Sequence, residues 1–580
     1  MENSYSVLMI CLFPLLGGMI AFFLGKKNKI VRNDWVDIVM FAEWIMLGCA
    51  GYMLANGSVM SMTLNNLFGM GLVLDLNMVR LVLCSVVTIA FSVVSQFMKE
   101  SMKEEKGSNR FYLLFTSVYS MLLAAVMTPN ILNLVLFVTA ALLLIYPMIM
   151  HRQDRVAVRN AGIYLVFVMI SVALFMVGLV MTIGYIGTIR FDIMYMTAMA
   201  GGLTTLAVVA GAVLFTVFAV YAGVFPMQFL VTRGASNGLM EGTVILSSVV
   251  SKIGVYGMLM MVVTLFNSNR VFGNVLLGFA LLTTVWGLTL ALSSTDVRKI
   301  LMGLNVAVNG FNALGVALIP IAKEANVYAA RGSVYMLISS ALSLAILYMV
   351  ALELVRKGQT FEIKGLIASG KGKKLLMVAC LIACANLLGF PGTMGYLSFS
   401  FIFKNIFTTV GWKWFIAMYV ILWAFLMTSV SRVFMKFFVS KKEETVLILS
   451  TAEEISGANT EDSDDALEKD VEADVEESGI AQVKKDPYVF GEALLIAVGV
   501  FLVVIGIAPS YTVGELAKVV DEFFWIANSL ESVAYYTKEG LVAFVIAAVL
   551  AILIYVNLVH GVLLRAVRNK KNKELKEKME

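Results

Sequence analysis

Long apolar runs separated by short polar segments fill most of the chain. The runs fall near residues 6–24, 35–55, 77–97, 111–127, 130–150, 160–183, 200–223, 239–265, 272–292, 299–320, 327–355, 375–390, 411–438, 489–507 and 540–565. A helix of roughly 20 apolar residues crosses a bilayer. The pattern therefore predicts an all-α polytopic membrane protein of about 14–16 transmembrane helices, and no strands. Two runs are interrupted: one around Pro226, the other at 389–396 (GFPGTMGY), around Gly389 and Pro391. Irregular backbone at membrane depth survives only where protein or a water cavity satisfies it. Broken segments in corresponding halves point to two inverted repeats with an ion site at the breaks.

The polar segments sort by charge. With the N-terminus outside, the inward loops are 25–34, 98–110, 151–160, 231–238, 294–299, 355–374, a long acidic loop and the tail 568–580. These hold most of the loop Lys and Arg. The outward loops at 54–62, 128–130, 183–192 and 266–270 hold few. This positive-inside bias predicts an N-terminus outside and a C-terminus in the cytoplasm, in a bacterial or archaeal plasma membrane. Residues 452–479 are of another kind, with twelve acids and one lysine. They lack aromatics and read as a solvated cytoplasmic linker, or as a docking tail for a basic partner. Beyond the span at 489–507, Phe523, Phe524, Trp525, Tyr535 and Tyr536 suit a membrane–water boundary.

Composition agrees with a membrane protein. Apolar residues make up 60% of the chain and charged residues 14%, against about 45–50% and about 25% in soluble domains. The five cysteines lie in apolar runs and read as small buried residues. Two histidines and no CxxC offer no iron–sulfur, haem or zinc site, and no cofactor is expected.

Few charges remain inside the spans. Lys252 stands mid-run in 239–265, too deep to reach the interface easily. An ionisable group at that depth is a functional candidate by default; the alternative is a structural pairing within the bundle. Glu241 opens the same run, as a proton-uptake acid or as an acid favoured by the helix dipole. Arg233 is a plausible partner for it. Glu43 sits mid-span and needs a partner or a function. Asp296 and Lys299, with Arg298, read as a helix-start charge cluster at the cytoplasmic face. Ser247, Ser248, Ser251, Tyr221, Ser340 and Ser343 are hydroxyls able to hold water but not to store charge.

Four stretches together resemble one family: 225–257 (FPMQFLVTRGASNGLMEGTVILSSVVSKIGVYG), 291–318 (ALSSTDVRKILMGLNVAVNGFNALGVAL), 387–401 (LLGFPGTMGYLSFSF) and 158–179 (VRNAGIYLVFVMISVALFMVGL). The core resembles the antiporter-like membrane subunits of respiratory complex I, Mrp antiporters and membrane-bound hydrogenases. The resemblance implies a midplane relay of charged residues. It implies a glutamate near Thr139–Leu142, a lysine near Tyr221, a histidine and a lysine near Ser340 and Leu344, and a charge near Phe399. None is present. Lys252 alone is in register, with Lys404 as a displaced substitute for the charge at Phe399. A Glu–Lys pair works because moving the acid's charge releases the lysine's proton, so the chain looks like a degenerate member.

The expected organisation is N-terminal helices at 1–110, a core at 111–440 with repeats near 111–265 and 272–438, a linker at 441–488 and C-terminal helices at 489–580. The first functional reading is an ion-translocating membrane subunit of a redox-driven complex, itself without redox chemistry. It would conduct protons or Na+ beside other membrane and redox subunits. The alternatives are a non-conducting anchor and a subunit of an Mrp-type cation/proton antiporter. Nothing points to nucleic acid.

Overall fold

The computed structural model describes residues 4–577 except 65–70, 104, 152–154, 202, 236–237, 323–325, 411–412, 440–488, 508, 510–513 and 526–536. The acidic stretch 452–479, Tyr535 and Tyr536 thus lie outside the described residues. Thirteen helices among those described are long and apolar enough to span a membrane, and Lys374–Leu388 and Gly491–Ile507 are shorter apolar helices. The expected all-α membrane fold is found.

In chain order the first helices are α1 (Tyr5–Lys27), α2 (Lys29–Ala55), α3 (Met78–Ser101), α4 (Ser108–Met127), α5 (Ile131–Ile149), α6 (Arg155–Tyr185), the short α7 (Phe191–Met199) and α8 (Thr205–Ala222). One expectation fails here. Met60–Leu64 and Leu72–Leu76 form an antiparallel two-stranded sheet between α2 and α3. The segment is too short and too polar for a span, and pairing satisfies its backbone.

The central elements follow. They are α9 (Phe229–Ala235), then α10 (Met240–Val244), a π-helical segment Ile245–Val250 and α11 (Ser251–Leu265) as one continuous rod. Next come α12 (Arg270–Ser293), α13 (Val297–Leu318), α14 (Asn326–Gly358), α15 (Lys374–Leu388), α16 (Met394–Asn405) and α17 (Lys413–Phe434). The apolar stretches of Met240–Leu265, Val297–Leu318 and Val327–Gly358 are wholly buried, so these three rods form the axis of the bundle. The C-terminal elements are α18 (Val489–Ile507), α19 (Gly514–Phe523) and α20 (Lys538–Glu577). They pack on α3 and on α14 to α17.

Both interruptions are real breaks. α8 ends at Ala222, with Gly223 in the left-handed region; α15 ends at Leu388, with Gly389 there. A residue without Cβ tolerates that conformation, and it stops a helix cleanly. The Phe225–Pro226 peptide is cis. After the second break, the Thr393 hydroxyl caps α16 by accepting from the Tyr396 amide.

The loops gather as two sets. On one face the Lys29 ammonium donates to the Lys103 carbonyl at 2.8 Å, and 295–297 pairs with 361–363. On the other, the Ile131 amide donates to the Ile189 carbonyl at 3.0 Å. The first set holds the basic loops expected inside; it is called the basic face below.

Candidate functional site

The site forms where the lysine rod passes the first break. Lys252 is buried at the start of α11, two residues beyond the end of the π-helical segment. An isolated π turn inside an α-helix re-aims side chains and is frequent at functional sites. Its ammonium donates to Asn305 Oδ1 at 3.1 Å and to Asn309 Oδ1. Both asparagines lie on α13, four residues apart and so on one face. Asn309 Nδ2 in turn donates to the Ala222 carbonyl at 2.7 Å, at the end of α8. The amide thus links the lysine to a backbone group released by the break. Gly254 allows the close approach, because a Cβ there would run into the backbone of Tyr221 and Ala222. Among the described residues no carboxylate pairs with Lys252.

Hydroxyls extend the cluster toward the basic face. Ser251 Oγ donates to the Ser247 carbonyl and lies 3.3 Å from Asn305 Oδ1. Ser247 Oγ is 3.1 Å from the Tyr348 hydroxyl of α14. Below them the rod begins at Glu241, which is buried and lines a cavity of about 710 Å³ with Glu100, Lys103, Glu105 and Arg356. Glu241 and Lys252 are eleven residues apart along the rod, about 16 Å at 1.5 Å per residue. Asn305 Nδ2 and both amide atoms of Asn312 are buried without a partner among the described residues. Buried polar atoms of this kind are ordinarily satisfied by water.

The other candidates fall elsewhere. Tyr221 is buried, and its hydroxyl lies 2.9 Å from Thr139 Oγ1. The family resemblance places charged residues at these two positions; a neutral pair stands there. Arg233 lies on α9, and its side chain is outside the described residues. Asp296 caps α13, accepting from the Arg298 amide at 2.9 Å and pairing with its guanidinium. Lys299 beside it is exposed. Neither touches the lysine cluster. Glu43 is buried in α2, and both carboxylate oxygens lack a hydrogen-bond partner among the described residues. Four cysteines are buried as expected, but Cys49 is exposed.

At the second break the chemistry is apolar. Phe399 stacks on Trp423 at 4.9 Å and meets Phe311 edge-on at 5.3 Å. Ser340 donates to its own helix at Leu337, and Leu344 is buried. Lys404 sits in the last turn of α16, over the Tyr328 ring at 4.6 Å, and does not reach the position of Phe399. Asn386 closes this break. It accepts from the Gly395 amide at 2.8 Å and donates to Ser343 Oγ at 2.6 Å.

Sequence reasoning misses three of these features: Asn305 and Asn309, Tyr348, and Asn386. Their signal is visible as polar residues at helical spacing inside apolar runs, where amides bridge helices.

Residues 128–427 match the family described as NADH:quinone oxidoreductase/Mrp antiporter, TM, and this covers more than half of the chain. The chain belongs to this family. It is similar to a subunit of the Na(+)/H(+) antiporter of Bacillus subtilis (strain 168), at 23% identity over 449 residues, 76% of this chain and 88% of that one. It shares its fold with a chain of the Mrp complex from Dietzia sp., with a TM-score of 0.69, 17% identity and 93% and 99% of the two chains covered. A chain of respiratory complex I from Thermus thermophilus gives a TM-score of 0.71, 15% identity and 90% and 99% covered. It is thus an antiporter-like integral membrane subunit of the kind found in such assemblies.

Proposed function

We infer that this chain conducts protons as one membrane subunit of a larger ion-translocating complex, redox-driven like respiratory complex I or a membrane-bound hydrogenase. One observation carries the reading. Among the described residues a buried lysine at a helix break is held only by amides, and hydroxyls lead from it toward the large cavity at Glu241 on the basic face. Hydrogen bonds to a charged group contribute about 1.5–3 kcal/mol each, so the asparagines hold the ammonium without the fixed counter-charge that would trap its proton. The amide oxygens already accept from Lys252. A Na+ ion would have to displace the ammonium from them, which favours protons. The basic face is the cytoplasmic one in this reading, and uptake begins there.

Two observations favour other readings. The neutral Thr139–Tyr221 pair and the apolar second break suit a non-conducting anchor. The 449-residue match to an antiporter component suits an Mrp-type assembly.

The test begins with purification from native membranes in mild detergent and mass spectrometry of what accompanies the chain. Redox subunits bearing iron–sulfur or nickel centres are expected; small antiporter subunits alone would assign it to the Mrp type. The intact complex is then reconstituted into liposomes and proton flux measured. Lys252→Ala is expected to lower flux at least tenfold while the complex still assembles. Unchanged flux in that variant would sink the conducting reading and leave the anchor.

A further inference from the structure

Protons reaching Lys252 must leave it, and two routes are open in principle. One crosses the bundle to the second break. The other continues along the lysine's own rod. Among the described residues the second break is packed by the rings of Phe399, Trp423, Phe311 and Tyr419, whose hydroxyl is tied to the Phe399 carbonyl at 3.2 Å, and by the amide of Asn386.

The rod itself is different. Ser248, Lys252, Tyr256 and Met260 follow one another at intervals of four, so they form one stripe. Ser248, Lys252 and Tyr256 line a small cavity of about 20 Å³, closed by Leu83 and Val87 of α3 and by Leu337 of α14. That is room for about one water. The Tyr256 hydroxyl is buried and makes no well-formed hydrogen bond to a described residue. The Arg80 guanidinium, one turn before Leu83 on α3, lies close enough to interact with it. Arg80 is paired with Asp75 and donates to its carbonyl at 2.9 Å. Asp75, Arg80 and Met260 then line a cavity of about 250 Å³ on the face opposite the basic one. Arg190 and Asp192 lie in the same cavity.

We propose that protons held at Lys252 leave along their own rod, past the Tyr256 hydroxyl to the Asp75–Arg80 pair and the cavity on the opposite face, without crossing to the second break. This rests on the conducting reading above. The Lys252 ammonium gives its proton to the enclosed water, leaving a neutral amine and a hydronium. The Tyr256 hydroxyl accepts that proton on its oxygen and releases its own toward Asp75, so the tyrosine ends unchanged. Uptake and release thus lie within one half of the molecule. Tyr256 is a relay residue, and the Asp75–Arg80 pair is the acceptor at the exit.

The test is proton flux in liposomes holding the intact complex, with each variant checked for assembly by co-purification of its partners. Tyr256→Phe removes one buried oxygen and keeps the ring. It is expected to lower flux about tenfold, and Asp75→Asn about threefold. Phe399→Leu, at the second break, is expected to stay within twofold of the parent. A Met260→Cys change, made with the exposed Cys49 replaced by Ser, is expected to let a membrane-impermeant thiol reagent on the far face block flux. Wild-type flux in Tyr256→Phe alongside loss in Lys252→Ala would overturn the exit route and leave the conducting reading intact. A loss in Phe399→Leu as deep as that in Tyr256→Phe would overturn it too. Unchanged flux in Lys252→Ala would remove the reading beneath it.

Discussion

The two helix breaks are built alike and filled differently. Each follows a left-handed glycine, Gly223 or Gly389, and each is bridged by an asparagine, Asn309 or Asn386. Each also has a glycine where a neighbouring backbone passes: Gly254 beside Tyr221 and Ala222, Gly395 beside the Asn386 carbonyl. At the first break the asparagine carries a lysine, and on the same helix Asn305 Nδ2 and the amide atoms of Asn312 lack a partner among the described residues. At the second it binds only backbone and a serine, and stacked rings fill the space. The second half is also braced from outside. Arg331 of α14 pairs with Asp521 of α19, with Nε to Oδ1 at 2.9 Å, and both are buried. At the basic face Glu353 and Lys373 form a buried pair, with Glu492 of α18 at 3.8 Å. One architecture thus yields a polar, hydratable site and a dry, cross-tied one. The break supplies unsatisfied backbone; the side chains decide whether charge or packing uses it.

This contrast can be broken from the dry side first. Trp423→Ala removes the ring that stacks on Phe399 and the donor to the Leu388 carbonyl at 2.9 Å. A large-to-small change at a buried aromatic costs about 3–5 kcal/mol. Thermal unfolding of the purified complex should shift down markedly, while flux per folded molecule holds near the parent. A matched loss of flux would mean the second half conducts.

The two bridging amides sharpen the comparison. Asn386→Ala leaves the buried Gly395 amide unpaired, at about 1–3 kcal/mol. Its effect should fall on stability alone. Asn309→Ala strips Lys252 of one acceptor and should lower flux severalfold with a smaller loss of stability. The same assays read both, and equal flux in the two variants would erase the distinction drawn here.

The smallest effect concerns the far-face cavity. Arg190 Nη2 lies 2.8 Å from Asp192 Oδ2, and the pair is partly exposed. Burial works against ionisation of Asp192, but the hydrogen bond and charge of Arg190 prevail and hold its carboxyl below the usual aspartate range. A depressed folded pKa contributes stability at neutral pH and loses it as pH falls through that pKa, here below about 4. Asp192→Asn should therefore cost about 0.2–1 kcal/mol at neutral pH and nothing further in acid. A melting-temperature series across pH reads this directly.

Hydropathy, punctuation and loop charge are properties of the chain taken locally. They are enough to place the spans, the breaks at Pro226 and at Gly389–Pro391, the gathering of basic loops on one face, and Lys252 as the lone cation of its run. The paired strands at 60–64 and 72–76 escape, because they lie in a segment too short to show its period. What Lys252 touches cannot be read in this way. Asn305 and Asn309 are more than fifty residues away, and their role depends on how α13 is rotated about its axis. Arg331 and Asp521 are separated by 190 residues and meet only because α19 folds back over the bundle. Thr139 and Tyr221 read as losses from a charged relay until their hydroxyls are seen in contact. Residue order along the chain says which groups are expensive to bury in a membrane. Packing chooses the partners that compensate them, because that choice depends on helix rotation and crossing, and neither is encoded within any one span.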